Sequence, residues 1–166
     1  VNFDVNKVNE FIKSLPYELT TDQNKALQEI FGDMNSTYKM NRLLQGEVGS
    51  GKTVVSAISL YAATTAGYQG AIMVPTEVLA SQHYKTFMEF FKNTDVKVRL
   101  LTSSINPKDK KDILDGLSDG SIDIVIGTHS LIQKDVTFKH LGLVVTDEEH
   151  RFGVRQRVSM VGKGYL

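Results

Sequence analysis

Residues Gly46-Glu47-Val48-Gly49-Ser50-Gly51-Lys52-Thr53 fit the pattern GxxxxGK[ST]. With glycine at ~7% of residues, such a match arises by chance in roughly one chain of this length per hundred or fewer. Glycines let a backbone curl until its amides face an anion, and a following helix N-terminus adds about half a positive charge. The segment from Gly46 through Glu47, Val48, Gly49, Ser50 and Gly51 is therefore expected to cradle the phosphates of a nucleoside triphosphate. Lys52 would neutralise its β- and γ-phosphates, and the Thr53 hydroxyl would ligate Mg²⁺. A second candidate is Asp147-Glu148-Glu149-His150, which follows the apolar run Leu143-Val144-Val145-Thr146. An acidic run at a strand end is usually just solvated. Beside a phosphate loop it gains a role, because carboxylates at the carboxyl ends of parallel strands face the crevice where ligands bind. Asp147 is expected to hold the Mg²⁺ indirectly, and Glu148 to orient or deprotonate the attacking water. His150 either joins them or is a plain surface histidine.

These groups need strands and helices to bring them together, and the hydropathy pattern supplies both. Val5, Val8, Phe11, Ile12 and Leu15 lie at helical spacing until Pro16 stops them. A second helix is expected from Thr20, with Gln23 three positions later, through Ala26, Leu27, Ile30, Phe31 and Met34, and a loop over Asn35 to Lys39. Leu43 and Leu44 then read as a strand ending in the glycine turn, followed by a helix from Val54 to Ala66 closed by Gly67. The alternation repeats: a strand at Ala71 to Val74, a helix from Glu77 to Lys92 capped by Thr76, and a strand at Val96 to Leu101. Asn106 and Pro107 start a helix ending near Gly116 or Gly120, and strands follow at Ile122 to Ile126 and Leu141 to Val145. Short apolar strands separated by helices of ten or more residues predict an α/β domain, a mainly parallel sheet covered on both faces.

Composition narrows the reading without choosing a function. The 166 residues suit about one domain, with residues 1–34 as N-terminal helices and 35–166 as the phosphate-loop core. Nineteen Lys plus Arg cancel nineteen Asp plus Glu, so net charge announces neither nucleic acid nor membrane. The absence of cysteine excludes disulfides and thiolate zinc sites, in keeping with an intracellular, cytoplasmic protein. The segment Val1 to Lys13 carries charges through its apolar positions, unlike a signal peptide or membrane span.

The phosphate loop, the Asp-Glu-x-His box, Pro75-Thr76-Glu77 and Gly127-Thr128-His129 together resemble the first motor lobe of superfamily 2 helicases and translocases. Met40 through Gly46, Gln82-His83-Tyr84, and Asp147 through Val154 with Gln156-Arg157 are similar in particular to the bacterial RecG family of ATP-dependent, branch-migrating DNA helicases. Arg151-Phe152-Gly153-Val154 is shared with few other families, transcription-repair coupling translocases among them. Glu47 stands where RecG proteins more often carry Asp, and Glu149 where they more often carry Gln.

That resemblance implies a RecA-like P-loop fold, ATP and Mg²⁺ as cofactors, and branched or forked DNA as partner. Tyr17, Leu19, Thr20 and Gln23 resemble the motif whose glutamine reads adenine, although Thr20 and Gln23 could equally form only a capping box. Pro75, Thr76, Thr102, Gly127, Thr128 and His129 match positions that touch the DNA backbone, and Thr76 could also be a simple helix cap. Arg151, Arg155 and Arg157 are either solvated or meet DNA or a neighbouring domain. A second RecA-like lobe with its arginines and the wedge that recognises forked DNA are expected outside these residues. So is the strand after the acidic box, which in related folds lies between the phosphate-loop strand and the Asp147 strand. An open slot between those two strands, or a sheet completed by other means, is therefore expected. A small phosphotransferase or a non-catalytic nucleotide-binding module are the other classes compatible with the loop.

Overall fold

The computed structural model describes residues 3–16, 18–36, 42–46 and 50–147. Two N-terminal helices, α1 (Val5–Ser14) and α2 (Thr21–Ser36), precede the core. The core then alternates β1 (Arg42–Gly46), α3 (Ser50–Thr65), β2 (Gln69–Met73), α4 (Glu77–Phe90), β3 (Val98–Leu101), α5 (Pro107–Asp119) and β4 (Ile124–Gly127). A short 3₁₀ turn (His129–Ile132) leads to β5 (Leu141–Asp147). Among the described residues the strands form one five-stranded sheet in the order β1-β5-β2-β4-β3, every neighbouring pair parallel. All the carboxyl ends therefore lie on one edge of the sheet. No helix among the described residues is long and apolar enough to cross a membrane.

Local chemistry explains the boundaries. Asp4 accepts the Lys7 amide and caps α1, while Asn106 accepts the Asp109 amide and, with Pro107 next, starts α5. Gly67 at φ 90° and Gly120 at φ 86° take left-handed conformations where α3 and α5 stop. Several edges differ by a residue or two from the periodicity. The second strand begins at Gln69, the third at Val98 and the fourth at Ile124, because a ladder begins where a neighbour is available for pairing. Val5, expected on the apolar face of α1, is 57% exposed, whereas Val8 and Phe11 are buried.

Alternate strand residues feed two cores. Ile72, Val74, Ile124, Ile126, Leu143 and Val145 face α3 and α4, beyond which lie α1 and α2. Ala71, Met73, Val125 and Val144 face α5. Leu141 also faces α5, three residues before Val144, which strict alternation forbids. The register resolves this: Gln69 pairs with Leu141 but Gly70 with Leu143, leaving Gly142 as an inserted residue. Helix α3 has no amphipathic stripe, because sheet and helices surround it. Val54, Ala57, Ile58, Leu60, Ala62 and Ala63 are all fully buried.

One expectation is corrected. No slot separates the phosphate-loop strand from the Asp147 strand: β1 and β5 pair directly from Arg42↔Leu143 to Gly46↔Asp147. Their backbone donors and acceptors satisfy each other, which removes the cost that an unpaired gap would carry.

Candidate nucleotide and nucleic-acid site

The carboxyl edge of the sheet gathers the candidate residues from both halves of the chain. Gly46, where the phosphate loop begins, is the register partner of Asp147, so the two backbones lie one strand spacing apart, about 4.8 Å. Helix α3 starts at Ser50, and Gly51, Lys52 and Thr53 form its first turn, with Thr53 buried at 7% exposure. A helix N-terminus and a carboxylate-bearing strand end thus open on the same edge. The amides there suit phosphate, and the Asp147 carboxylate and Thr53 hydroxyl are the hard oxygen donors that a magnesium ion prefers. Glu47, Val48, Gly49, Glu148, Glu149, His150 and the arginines at 151, 155 and 157 lie outside the described residues, as does Tyr17.

Thr20 and Gln23 form a reciprocal capping box at the start of α2. The Gln23 amide donates to Thr20 Oγ1 at 3.1 Å, and the Thr20 amide donates to Gln23 Oε1 at 2.8 Å. That geometry sets the rotamer of Gln23 whatever else its carboxamide touches.

The other candidates occupy the ends of three adjacent strands. After β2, Pro75 is half-buried, and exposed Thr76 caps α4 by accepting the Leu79 amide at 3.2 Å. After β3, Thr102 is buried and shares a 3.3 Å hydrogen bond with Ser104. Gly127 ends β4 directly against Leu101: a β-carbon there would sit 2.3 Å from the Leu101 carbonyl oxygen, which only glycine avoids. Thr128 is 2% exposed and pairs with Ser130, whereas His129 is exposed. Ser130 Oγ donates back to Leu101 O at 3.2 Å. Its one proton is thereby used, so the 3.3 Å contact with Thr128 is donated by Thr128.

The sequence placed Glu77 and Ser103 within motifs resembling DNA-backbone contacts, but not the bond between them, and it missed Ser104 and Ser130. Glu77 Oε1 accepts both Ser103 Oγ–H and the Ser104 amide, each at 3.0 Å. The Ser103 hydroxyl and then the Ser104 amide hold the carboxyl below its ordinary range. The density of hydroxyl residues over 102–104 and 128–130 was a visible signal, but their cross-strand partners were not.

A family model for DEAD/DEAH box helicases matches residues 20–163. The chain is 57% identical over 162 residues, 98% of its length, to the ATP-dependent DNA helicase RecG of Bacillus subtilis (strain 168). It is 55% identical over 166 residues to that of Staphylococcus epidermidis (strain ATCC 35984). It covers 24% of each, so it spans about a quarter of the length of the curated relatives it matches. The structure of RecG bound to a three-way DNA junction superposes with a TM-score of 0.80 at 52% identity, over 91% of this chain and 21% of that one. The UvsW helicase from bacteriophage T4 gives 0.66 at 18% identity, over 97% of this chain and 56% of that one, a likeness of fold alone.

Proposed function

We propose that this chain, which belongs to the DEAD/DEAH box helicase family, is the ATP-binding motor lobe of a RecG-type helicase that remodels branched DNA in recombination and repair. Fork regression and branch migration of four-way junctions are the activities meant. The observation that carries the reading is the direct pairing of Gly46 with Asp147, which sets the start of a phosphate loop beside the start of an acidic box. Residues 1–166 then make up one RecA-like lobe of a cytoplasmic bacterial protein, residues 1–34 bringing Gln23 to the adenine and 35–166 the phosphate-loop core.

In this reading the amides from Gly46 to Gly51 and the α3 N-terminus bind the triphosphate, and Lys52 offsets charge on the β- and γ-oxygens. Thr53 and Asp147 would hold Mg²⁺, which when bound neutralises charge developing on the transferring phosphoryl group. Glu148 orients the attacking water and accepts its proton. Pro75, Thr76, Thr102, Gly127, Thr128 and His129 lie in the loops that meet the DNA backbone. A second lobe would close the nucleotide from the other side and contribute arginine, and a wedge would read the fork.

Binding of a fluorescent ATP analogue to this chain, with and without Mg²⁺, tests the reading. The wild type should bind, Lys52→Ala should weaken binding at least about tenfold, the loss of a charge-assisted contact, and Asp147→Asn should abolish the gain from Mg²⁺. A wild type indifferent to adenine nucleotides, or variants that bind as it does, would overturn it.

A further inference from the structure

Three loops follow the adjacent strands β2, β4 and β3, and a chain of hydrogen bonds ties two pairs of them. Ser130, after β4, reaches Leu101 O at the end of β3, and Thr128 donates to Ser130. On the other side Glu77, at the start of α4, takes Ser103 and Ser104 of the loop after β3, while Thr102 and Ser104 share a bond within that loop. The β3 loop is thus held at both ends, once by a serine and once by a carboxylate.

The carboxylate is the unexpected member. Phosphate backbones are bound by positive or neutral donors, so an anion among these loops costs affinity unless it does something else. What it does is fixed by its geometry: both bonds converge on the single atom Oε1, and the two groups it accepts, a hydroxyl and a backbone amide, belong to consecutive exposed residues. Among the described residues, Ser103 and Ser104 meet α4 through the Glu77 carboxyl. We propose that Glu77 is a positioning residue, whose Oε1 locks the loop after β3 to the start of α4 and so presets the loops after β2, β3 and β4 as one surface for a DNA backbone. This rests on the DNA reading of those loops given above.

Because one oxygen takes both bonds, a glutamine amide can replace the tie while removing the charge. Glu77→Gln and Glu77→Ala are then charge-matched, and their difference isolates the tie from simple repulsion. Binding of this chain to a fluorescein-labelled dT20 oligonucleotide is measured by anisotropy at low salt, and exchange of the Ser104 amide by NMR. Glu77→Gln should bind at least as tightly as the wild type, and Glu77→Ala about three- to tenfold more weakly than Glu77→Gln, the worth of a hydrogen bond or two. The Ser104 amide should stay protected in the glutamine variant and exchange faster in the alanine variant. Should Glu77→Ala not fold, Ser103→Ala, which removes one of the two donors and leaves α4 intact, should weaken binding about two- to threefold. Equal affinity of the charge-matched pair, or equal Ser104 exchange in both, overturns the inference and leaves Glu77 as a repelling charge. A wild type that ignores the oligonucleotide while Ser104 still depends on residue 77 defeats the DNA reading instead, and the inference falls with it although the tie stands.

Discussion

Gly127 illustrates how one residue type can be imposed by a neighbour remote in sequence. Its partner Leu101 brings a carbonyl oxygen to 2.3 Å from where a β-carbon would stand, and that oxygen also accepts from Ser130. Gly127→Ala must therefore push β3 outward, and we expect a loss of about 2–3 kcal/mol in urea unfolding, the scale of an overpacked core. Two carboxyls should give opposite pH signatures. Hydrogen bonds lower the Glu77 pKa, so its contribution to stability is present above the ordinary glutamate value and lost as pH falls through the lowered one. Burial raises the Asp123 pKa, with the Lys97 amide and charge only partly offsetting it. The folded state then holds the proton longer than the unfolded chain, so stability falls as pH rises from the ordinary aspartate value through the raised one. Asp123→Asn keeps an oxygen for the Lys97 amide, which now meets Asp123 Oδ2 at 2.8 Å. Thermal melting should show it more stable than the wild type at pH 7, with the gap closing towards pH 3.5. The GxxxxGK[ST] pattern and the acidic run were legible at this scale because each lies in consecutive residues. The tie that Glu77 makes was not, since its partners lie beyond another strand.

Elements owe their limits to caps and their places to ties between them. The start of helix α5 was readable in advance from Asn106-Pro107, because caps act within four residues, while its end stayed open between Gly116 and Gly120 until the structure placed it at Asp119. Asn106→Ala should cost about 1 kcal/mol in chemical denaturation, the usual worth of an N-cap. Gln69 shows the opposite case. Buried at 4% exposure, it donates through Nε2 to Leu117 O and Ile122 O and accepts the His140 amide at Oε1, joining the end of α5 to the starts of β4 and β5. Nothing in the local sequence distinguishes this glutamine from a surface one. Gln69→Leu would leave Ile122 O and the His140 amide without this partner, while Leu117 O keeps the Lys139 amide. At about 1–3 kcal/mol for each unsatisfied group we expect a loss of at least about 2 kcal/mol by urea titration. The strand starts at residues 69, 98 and 124 escaped periodicity for a related reason: a strand begins where its neighbour does.

At the scale of the whole molecule, the parallel sheet turns a linear order into an active edge. Parallel strands all end on one side, so the carboxyl ends of β1, β2, β3, β4 and β5 share a rim although they run from residue 46 to 147. If this rim is half of a nucleotide site closed by a second lobe, the chain should bind ATP yet hydrolyse it slowly. Arginine from a partner lobe is worth about 10³–10⁵ in rate. Steady-state hydrolysis by this chain, compared with a RecG protein containing both lobes and with branched DNA present, should differ by at least about a thousandfold. Equal rates would argue for a self-sufficient enzyme. The alternation of short apolar strands with helices determined the α/β class, and the residues at 46–53 and 147–150 determined the expected phosphate chemistry, because both are written in short windows of residue type and spacing. Tertiary structure alone decided that β1 lies against β5 with no slot between them, that Gly142 is an inserted residue, and that Glu77 reaches across to Ser103 and Ser104. Each depends on which strand becomes whose neighbour, and that is settled by the packing of two cores rather than by any local run of side chains.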